Sequence, residues 1–228
     1  MDVDGRRLFV KTAIEARAGP SLRRAVALHR AVAHPAIIPL LGTVTTDEGP
    51  ALVYPWVDGE VLYRGGGRAA RLDPEGPHAR FRSLPVDDFL AALDAVFEAH
   101  LALAAAGFVG VDLYDGCLIY DFAARRVHLC DLDEYRAGPF VVDTDRLPGS
   151  TRFMAPEERR RGATVDQRTT VFNLGRTARV HLDTGDLDGE FRGDPAVRAV
   201  LDRATRPLAA ERYPTVEDFM SAWWRAMR

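Results

Sequence analysis

Cysteine is almost absent from this sequence. Cys117 and Cys130 are the only two. They lack metal-ligand spacing and no secretory leader accompanies them, which excludes a disulfide framework and a cysteine-built zinc site. Both are expected to be free thiols in a reducing cytoplasm. An excess of charge of one sign is also missing: 30 basic and 33 acidic residues leave a net charge of -3. No overall field therefore draws the chain to nucleic acid or anionic lipid, and neither is an expected partner. Uninterrupted apolar runs are missing as well. The most apolar stretch, FLAALDAVFEAHLALAAAGFVGV, carries Asp94, Glu98 and His100 on one side of a helical wheel, so it reads as a core helix and not a membrane span. The opening MDVDGRRLFV has no apolar segment of the kind a signal peptide needs. No internal repeat is visible.

What is present suffices for a sizeable core. With 228 residues, 47% of them apolar and 28% charged, the chain can fold as one domain or as two lobes around a cleft. The Asp4-Gly5 pair is a two-residue hairpin signal ahead of a strand from Arg6 to Ala13. Only Met1 to Val3 remain as a partner strand, so either the natural chain extends upstream or the sheet edge is short. A helix is expected over Ser21 to Ala33 with Ser21 as N-cap. Strands are expected over Ile37 to Val44 and Ala51 to Val57, joined by the turn Thr45 to Pro50. Residues Tyr63 to Pro85 are rich in Gly, Arg and Pro and lack a period, which reads as a mobile connector. Helices then dominate: Val86 to Ala106, Thr170 to His181, Pro195 to Thr205 and Val216 to Met227.

Four segments carry chemistry, in this order: Lys11 at the end of LFVK, the loop GFVGVDLYDGCLIYD, the strand and turn VHLCDLDEY, and GSTRFMAPEE. Phosphoryl transfer needs positive charge on phosphates, carboxylates for a metal ion, and a carboxylate near the attacking hydroxyl. In their order these segments resemble the bacterial, eukaryotic-like serine/threonine protein kinase family, over nearly the whole chain from Lys11 to Trp224. The resemblance implies an α+β, two-lobed fold: a small β-rich lobe over residues 1–57 lacking the glycine-loop strands, a hinge and connector over 58–85, and a helical lobe over 86–228. It implies ATP and Mg²⁺ as cofactors and a protein or peptide substrate.

Residue by residue, the resemblance assigns Lys11 to the α- and β-phosphates and Asp112 to the proton of the substrate hydroxyl. Tyr54 falls at the gatekeeper position, with Pro55, Trp56 and Val57 along the adenine edge, Glu60 near the ribose, and Leu118 also at the nucleotide. Asp131 is the main Mg²⁺ ligand, with Asp133 as a further metal contact and Asp115 as another acid that could stand in. Glu157 is expected to form a buried ion pair with Arg212, and Ser150 or Thr151 to approach Asp112.

The chain also departs from the family pattern. No GxGxxG loop precedes Lys11. Gly110 and Val111 replace the expected His and Arg, which leaves a phosphorylated Thr144 or Ser150 without a cationic partner. Cys117 stands at the position of an Mg²⁺-binding Asn, and a thiol is a poor ligand for a hard cation. Ala25 occupies the place of the helix glutamate that pairs with the lysine, and Glu15 lies too early to replace it. Thr170 stands where an aspartate braces the catalytic loop. These departures predict weak activity and keep two other functions in view: a pseudokinase that binds a partner, and a phosphotransferase for a small molecule such as an aminoglycoside.

Overall fold

The computed structural model describes residues 5–13, 18–47, 49–185 and 187–228, and residues 2–3 as backbone. Asp4 of the expected turn and Glu15 lie outside the described residues. The fold is mixed α+β. Strands β1 (Asp2–Val3), β2 (Arg6–Lys11), β3 (Gly42–Thr46) and β4 (Gly49–Pro55) form one antiparallel sheet in the order β1-β2-β4-β3. Val3 pairs with Arg6, and Thr46 with Gly49, so each of these connections is two residues long. Helix α1 (Gly19–Ala31) packs on this sheet, burying Leu22 and Ala25 against Leu52.

The N-terminal end of α1 differs from expectation. The helix starts at Gly19 and draws on Pro20, whose fixed φ suits a first turn. This frees Ser21, whose hydroxyl bonds to Glu134 instead of capping. The expected strand Ile37 to Val44 is likewise not one strand. Ile37 makes a single bridge to Leu129, and the strand proper begins at Gly42. Pro39 cannot donate to a ladder, and Ile37 and Ile38 turn inward and are buried.

The rest of the chain is mainly helical. Short strands β5 (Glu60–Val61), β7 (Leu118–Asp121) and β8 (Arg126–Leu129) form a three-stranded sheet, β6 (Phe108–Val109) pairs with β9 (Arg136–Ala137), and β10 (Phe140–Val141) with β11 (Thr164–Val165). Between β5 and β7, the stretch expected to be a mobile connector holds two helices, α2 (Gly67–Leu72) and α3 (Pro77–Arg82). Their inward side chains are Arg71, His78, Phe81 and Arg82, a pattern that hydrophobic periodicity does not register. Helices α4 (Val86–Ala105), α5 (Gln167–Leu182), α6 (Pro195–Ala204) and α7 (Val216–Ala226) complete the body. Side-chain caps from Asp166, Asp194 and Thr215 set the starts of the last three. Among the described residues no helix is long and apolar enough to cross a membrane.

The principal apolar cluster joins the helical body, and smaller ones lie under the first sheet and around β6, β10 and β11. Phe89, Leu93 and Phe97 of α4 meet Leu174 of α5 and Phe219 and Trp223 of α7, and Leu28 and Ile37 join the same cluster from the α1 side. Beneath it, Arg212 reaches Glu157 with two contacts, 2.6 Å from Oε1 and 2.9 Å from Oε2, and Thr169 donates to the same carboxylate at 2.7 Å. Burial acts to raise the Glu157 pKa, but Arg212 and Thr169 outweigh it and hold the carboxyl below its ordinary range. The folded-state pKa is depressed, so the pair's stabilisation is present above the ordinary glutamate pKa and is lost as pH falls through the folded-state value. Arg212→Met leaves a buried carboxylate uncompensated and is expected to cost about 3–5 kcal/mol of unfolding free energy in urea titrations at pH 7. A loss under about 1 kcal/mol would show the pair to be dispensable.

Candidate functional site

Period two along β2 puts Phe9 and Lys11 on one face. Both line a cavity of about 330 Å³ between the first sheet and the β5-β7-β8 sheet, together with Tyr54, Pro55, Trp56, Val57, Ile119, Leu129 and the run Cys130 to Asp133. The walls are mostly apolar, and Phe9 and Trp56 remain half exposed at 49% each. At Gly59 the backbone adopts φ +123°, and a Cβ there would stand 2.8 Å from the Tyr120 carbonyl carbon, so only glycine fits where the chain leaves β4 for β5.

The polar end of this cavity is built by Lys11. Its ammonium bonds to Asp131 Oδ1 and lies 2.6 Å from Asp133 Oδ2. Burial alone would depress the lysine pKa. Asp131 and Asp133 outweigh that and raise it well above the ordinary range, so the amine is charged. The expectation that Lys11 lacks a carboxylate partner is therefore overturned. Ala25 has no acid to offer, yet the turn after β8 supplies two. Burial pushes the Asp133 carboxyl upward, and Lys11 works against that rise.

Asp112 and Asp131 both adopt left-handed backbone, φ 61° and 59°. Non-glycine residues rarely do so, aspartate being among the more tolerant, and such conformations cluster at functional sites. Asp112 does not line the cavity. Its carboxyl faces Gly149, where an added Cβ would stand 3.5 Å from Oδ1, so the segment carrying Ser150 and Thr151 runs directly against it. Burial, with the charges of Asp131 and Glu134, raises the Asp112 pKa to about 7, with Lys11 and Arg146 opposing. The Thr170 hydroxyl accepts from the Gly110 N–H at 2.9 Å and so braces this loop, although the sequence suggested a gap in the network there.

Four residues expected at the site are used otherwise. Cys117 is fully buried, its thiol donates to the Asp112 carbonyl at 3.2 Å, and burial raises its pKa, so it is a neutral donor and not a metal ligand. Leu118 points into the core, and its neighbour Ile119 lines the cavity instead. A shift of one residue along a strand exchanges the faces, and the alternation in LIYD was the signal that could have identified Ile119. Glu60 pairs with Arg80 at 2.7 Å and does not line the cavity. Asp115 turns to Arg71, away from Lys11.

Sequence reasoning missed the link between α1 and the acidic turn. Arg24 lies 2.6 Å from Glu134 Oε2 and donates from Nε to the Asp133 carbonyl at 3.2 Å, while Ser21 bonds the other Glu134 oxygen. No short motif marks such a pair, because its members lie far apart in sequence.

Among the described residues no three or more His, Cys, Asp or Glu side chains are grouped so as to hold a metal ion. Mg²⁺ commonly takes only one or two protein carboxylates and draws its other oxygens from water and phosphate, a demand that Asp131 and Asp133 fit. The mostly apolar walls beside a charged lysine also fit a nucleotide. In comparisons with known proteins, no protein-family model matches this chain, and no curated protein does.

Two outcomes test this geometry. A carbon-detected NMR titration should place the Asp112 carboxyl midpoint near 7, and a midpoint near 4 would remove the case for its burial beside other acids. A double-mutant cycle of Arg24→Met and Glu134→Gln should return a coupling of about 0.5–3 kcal/mol, as residues in one hydrogen-bonded network do; additive losses would show that α1 is not held by this pair.

Proposed function

We propose that this chain is a protein-kinase-like phosphotransferase, a two-lobed molecule that binds Mg²⁺·ATP between its sheet-rich and helical parts and acts on a hydroxyl of a polypeptide. The observation that carries this reading is the charged Lys11 between Asp131 and Asp133 at the polar end of an aromatic-walled cavity. Bound Mg²⁺·ATP supplies the phosphoryl group and the metal's charge. Lys11 would pair with phosphate oxygens, Asp131 and Asp133 would hold the metal, and Trp56 and Phe9 offer flat faces to the base. Backbone groups of Pro55 to Val57 are available to its polar edge.

Asp112 has the part of proton acceptor. A carboxyl with a pKa near 7 takes the acceptor hydroxyl's proton on an oxygen and can hold it afterwards. Gly149 against Asp112 favours a polypeptide acceptor over a small molecule, because the segment beside the carboxylate belongs to an extended loop. A second reading, nucleotide binding without transfer, has its own support in Cys117, a neutral buried thiol at the position where the family places a second metal ligand.

Mg²⁺·ATP should raise the melting temperature, since a ligand that binds only the folded state stabilises it by RT ln(1 + [L]/Kd). It should also quench Trp56 fluorescence, and Lys11→Met should remove both effects. Asp112→Asn should retain binding and abolish transfer of labelled phosphate to a peptide or to the protein itself. Transfer by the unaltered chain should rise with pH through about 7, because the acceptor must first lose its own proton. Absence of any nucleotide-dependent shift overturns the proposal, and binding without transfer selects the second reading.

A further inference from the structure

Beyond the acidic turn the chain runs out along the surface and returns beside itself. Phe140 pairs with Val165, the Val142 N–H donates to the Ala163 carbonyl at 2.9 Å, and the Leu147 N–H donates to the Glu158 carbonyl at 2.8 Å. That last bond brings Arg146 and Arg159 onto adjoining segments, with Arg160 and Arg161 directly following. Burial sorts the charges of this stretch. Glu157 and Glu158 are buried and engaged from within, the first by Arg212 and Thr169, the second by the Ala155 N–H at 2.6 Å and Asn173 at 2.9 Å. Arg146, Arg159, Arg160 and Arg161 face outward and are exposed. Arg161 pairs with Asp145 at 3.2 Å. Among the described residues no carboxylate pairs with the other three, and Asp143 is the other exposed acid of these segments. A chain of net charge -3 thus gathers surplus positive charge on one ledge.

This ledge adjoins Asp112. Arg146 Nη2 donates to the Gly149 carbonyl at 2.7 Å and stands 3.6 Å from Met154 Sδ. A Cβ added at Gly149 would meet the same sulfur at 3.4 Å and Asp112 Oδ1 at 3.5 Å. The guanidinium and the Asp112 carboxyl therefore reach one glycine from two sides. They form no ion pair, although the charge of Arg146 is felt at Asp112, where it opposes the rise in pKa. Asp131 and Glu134 add negative charge at Asp112 itself. A further carboxylate is repelled there and attracted out along the ledge.

We propose that the polypeptide taken up beside Asp112 is acidic, with Asp or Glu side chains flanking its acceptor hydroxyl and pairing with Arg146, Arg159 and Arg160. The inference rests on the reading of Asp112 as proton acceptor for where the hydroxyl lies, but the preference of the ledge for acids is measurable without any transfer. One exposed ion pair contributes little, whereas several along a short segment add together and select against the wrong charge.

The test uses labelled peptides with a central serine flanked by glutamate, by glutamine or by lysine, and reads fluorescence anisotropy on the full chain without nucleotide. The glutamate peptide should bind at least about tenfold more tightly than the glutamine peptide, the lysine peptide should not bind, and the preference should shrink as ionic strength rises above about 0.15 M. Arg146→Gln, Arg159→Gln and Arg160→Gln should each weaken the glutamate peptide about threefold and leave the glutamine peptide unchanged. Arg198→Gln on α6 controls for a general loss of positive charge. Should Arg146→Gln disturb the loop, Arg160→Glu still decides, because the exposed Arg160 side chain makes no bond to the loop among the described residues; it should move the preference toward the lysine peptide. Equal binding of the glutamate and glutamine peptides, no saturable binding of any peptide, or a preference unmoved by Arg160→Glu overturns the proposal, as does a single-stranded oligonucleotide that competes as tightly as the glutamate peptide. Selective binding of the glutamate peptide without phosphate transfer leaves this proposal standing and removes the phosphotransferase reading. Transfer to the glutamine peptide as readily as to the glutamate peptide does the reverse.

Discussion

The ammonium of Lys11, held by two carboxylates from one turn, is the contact on which the cleft depends. Lys11 belongs to the first sheet and Asp131 and Asp133 to the segment after β8, so this ion pair closes one end of the cavity across elements far apart in sequence. Its strength comes from partial burial, where charge–charge attraction is less screened than in water. The two left-handed aspartates, Asp112 and Asp131, are affordable only because the packed body around them fixes the backbone.

A second tier of bonds ties this contact to the helices. Glu134 takes Arg24 and Ser21 of α1, and Asp133 offers its carbonyl to the same arginine. Helix α1 is thereby fastened to the turn and not to the lysine. On the other side, Thr170 of α5 holds the Gly110 N–H with a hydroxyl, and the Cys117 thiol donates to the Asp112 carbonyl. Neutral groups thus do the bracing in the loop around Asp112, which keeps further charge away from a carboxyl already raised by its acidic neighbours.

The long helices were legible because their buried faces are apolar: Phe89, Leu93 and Phe97 recur on α4 at helical spacing, and Asp194 and Pro195 mark a helix start by local chemistry. Lys11 and Asp131 could be picked out because a lysine and several aspartates stood in an ordered series, and the fold brings the two together. Helices α2 and α3 were invisible to the same reasoning, since their inward residues are Arg71, His78 and Arg82, whose burial is understood only with Asp115 and Asp183 in place. The carboxylate partner of Lys11 was sought on α1, where a sequence register pointed to Ala25. Distance along the chain carries no information about which of several acids folds back onto a lysine. At Leu118 and Ile119 the error was a single step in strand phase.

The two sulfhydryls add a property of a different kind. Cys117 is sealed in the interior and Cys130 borders the cavity with a pKa pushed up to about 12 by burial and then by Asp131. The reactive form of sulfur is the anion, and both sites suppress it. Alkylating reagents and mild oxidants should therefore leave the folded chain untouched, so that any modification of Cys130 would register an opening of the cleft rather than an intrinsic readiness of the sulfur.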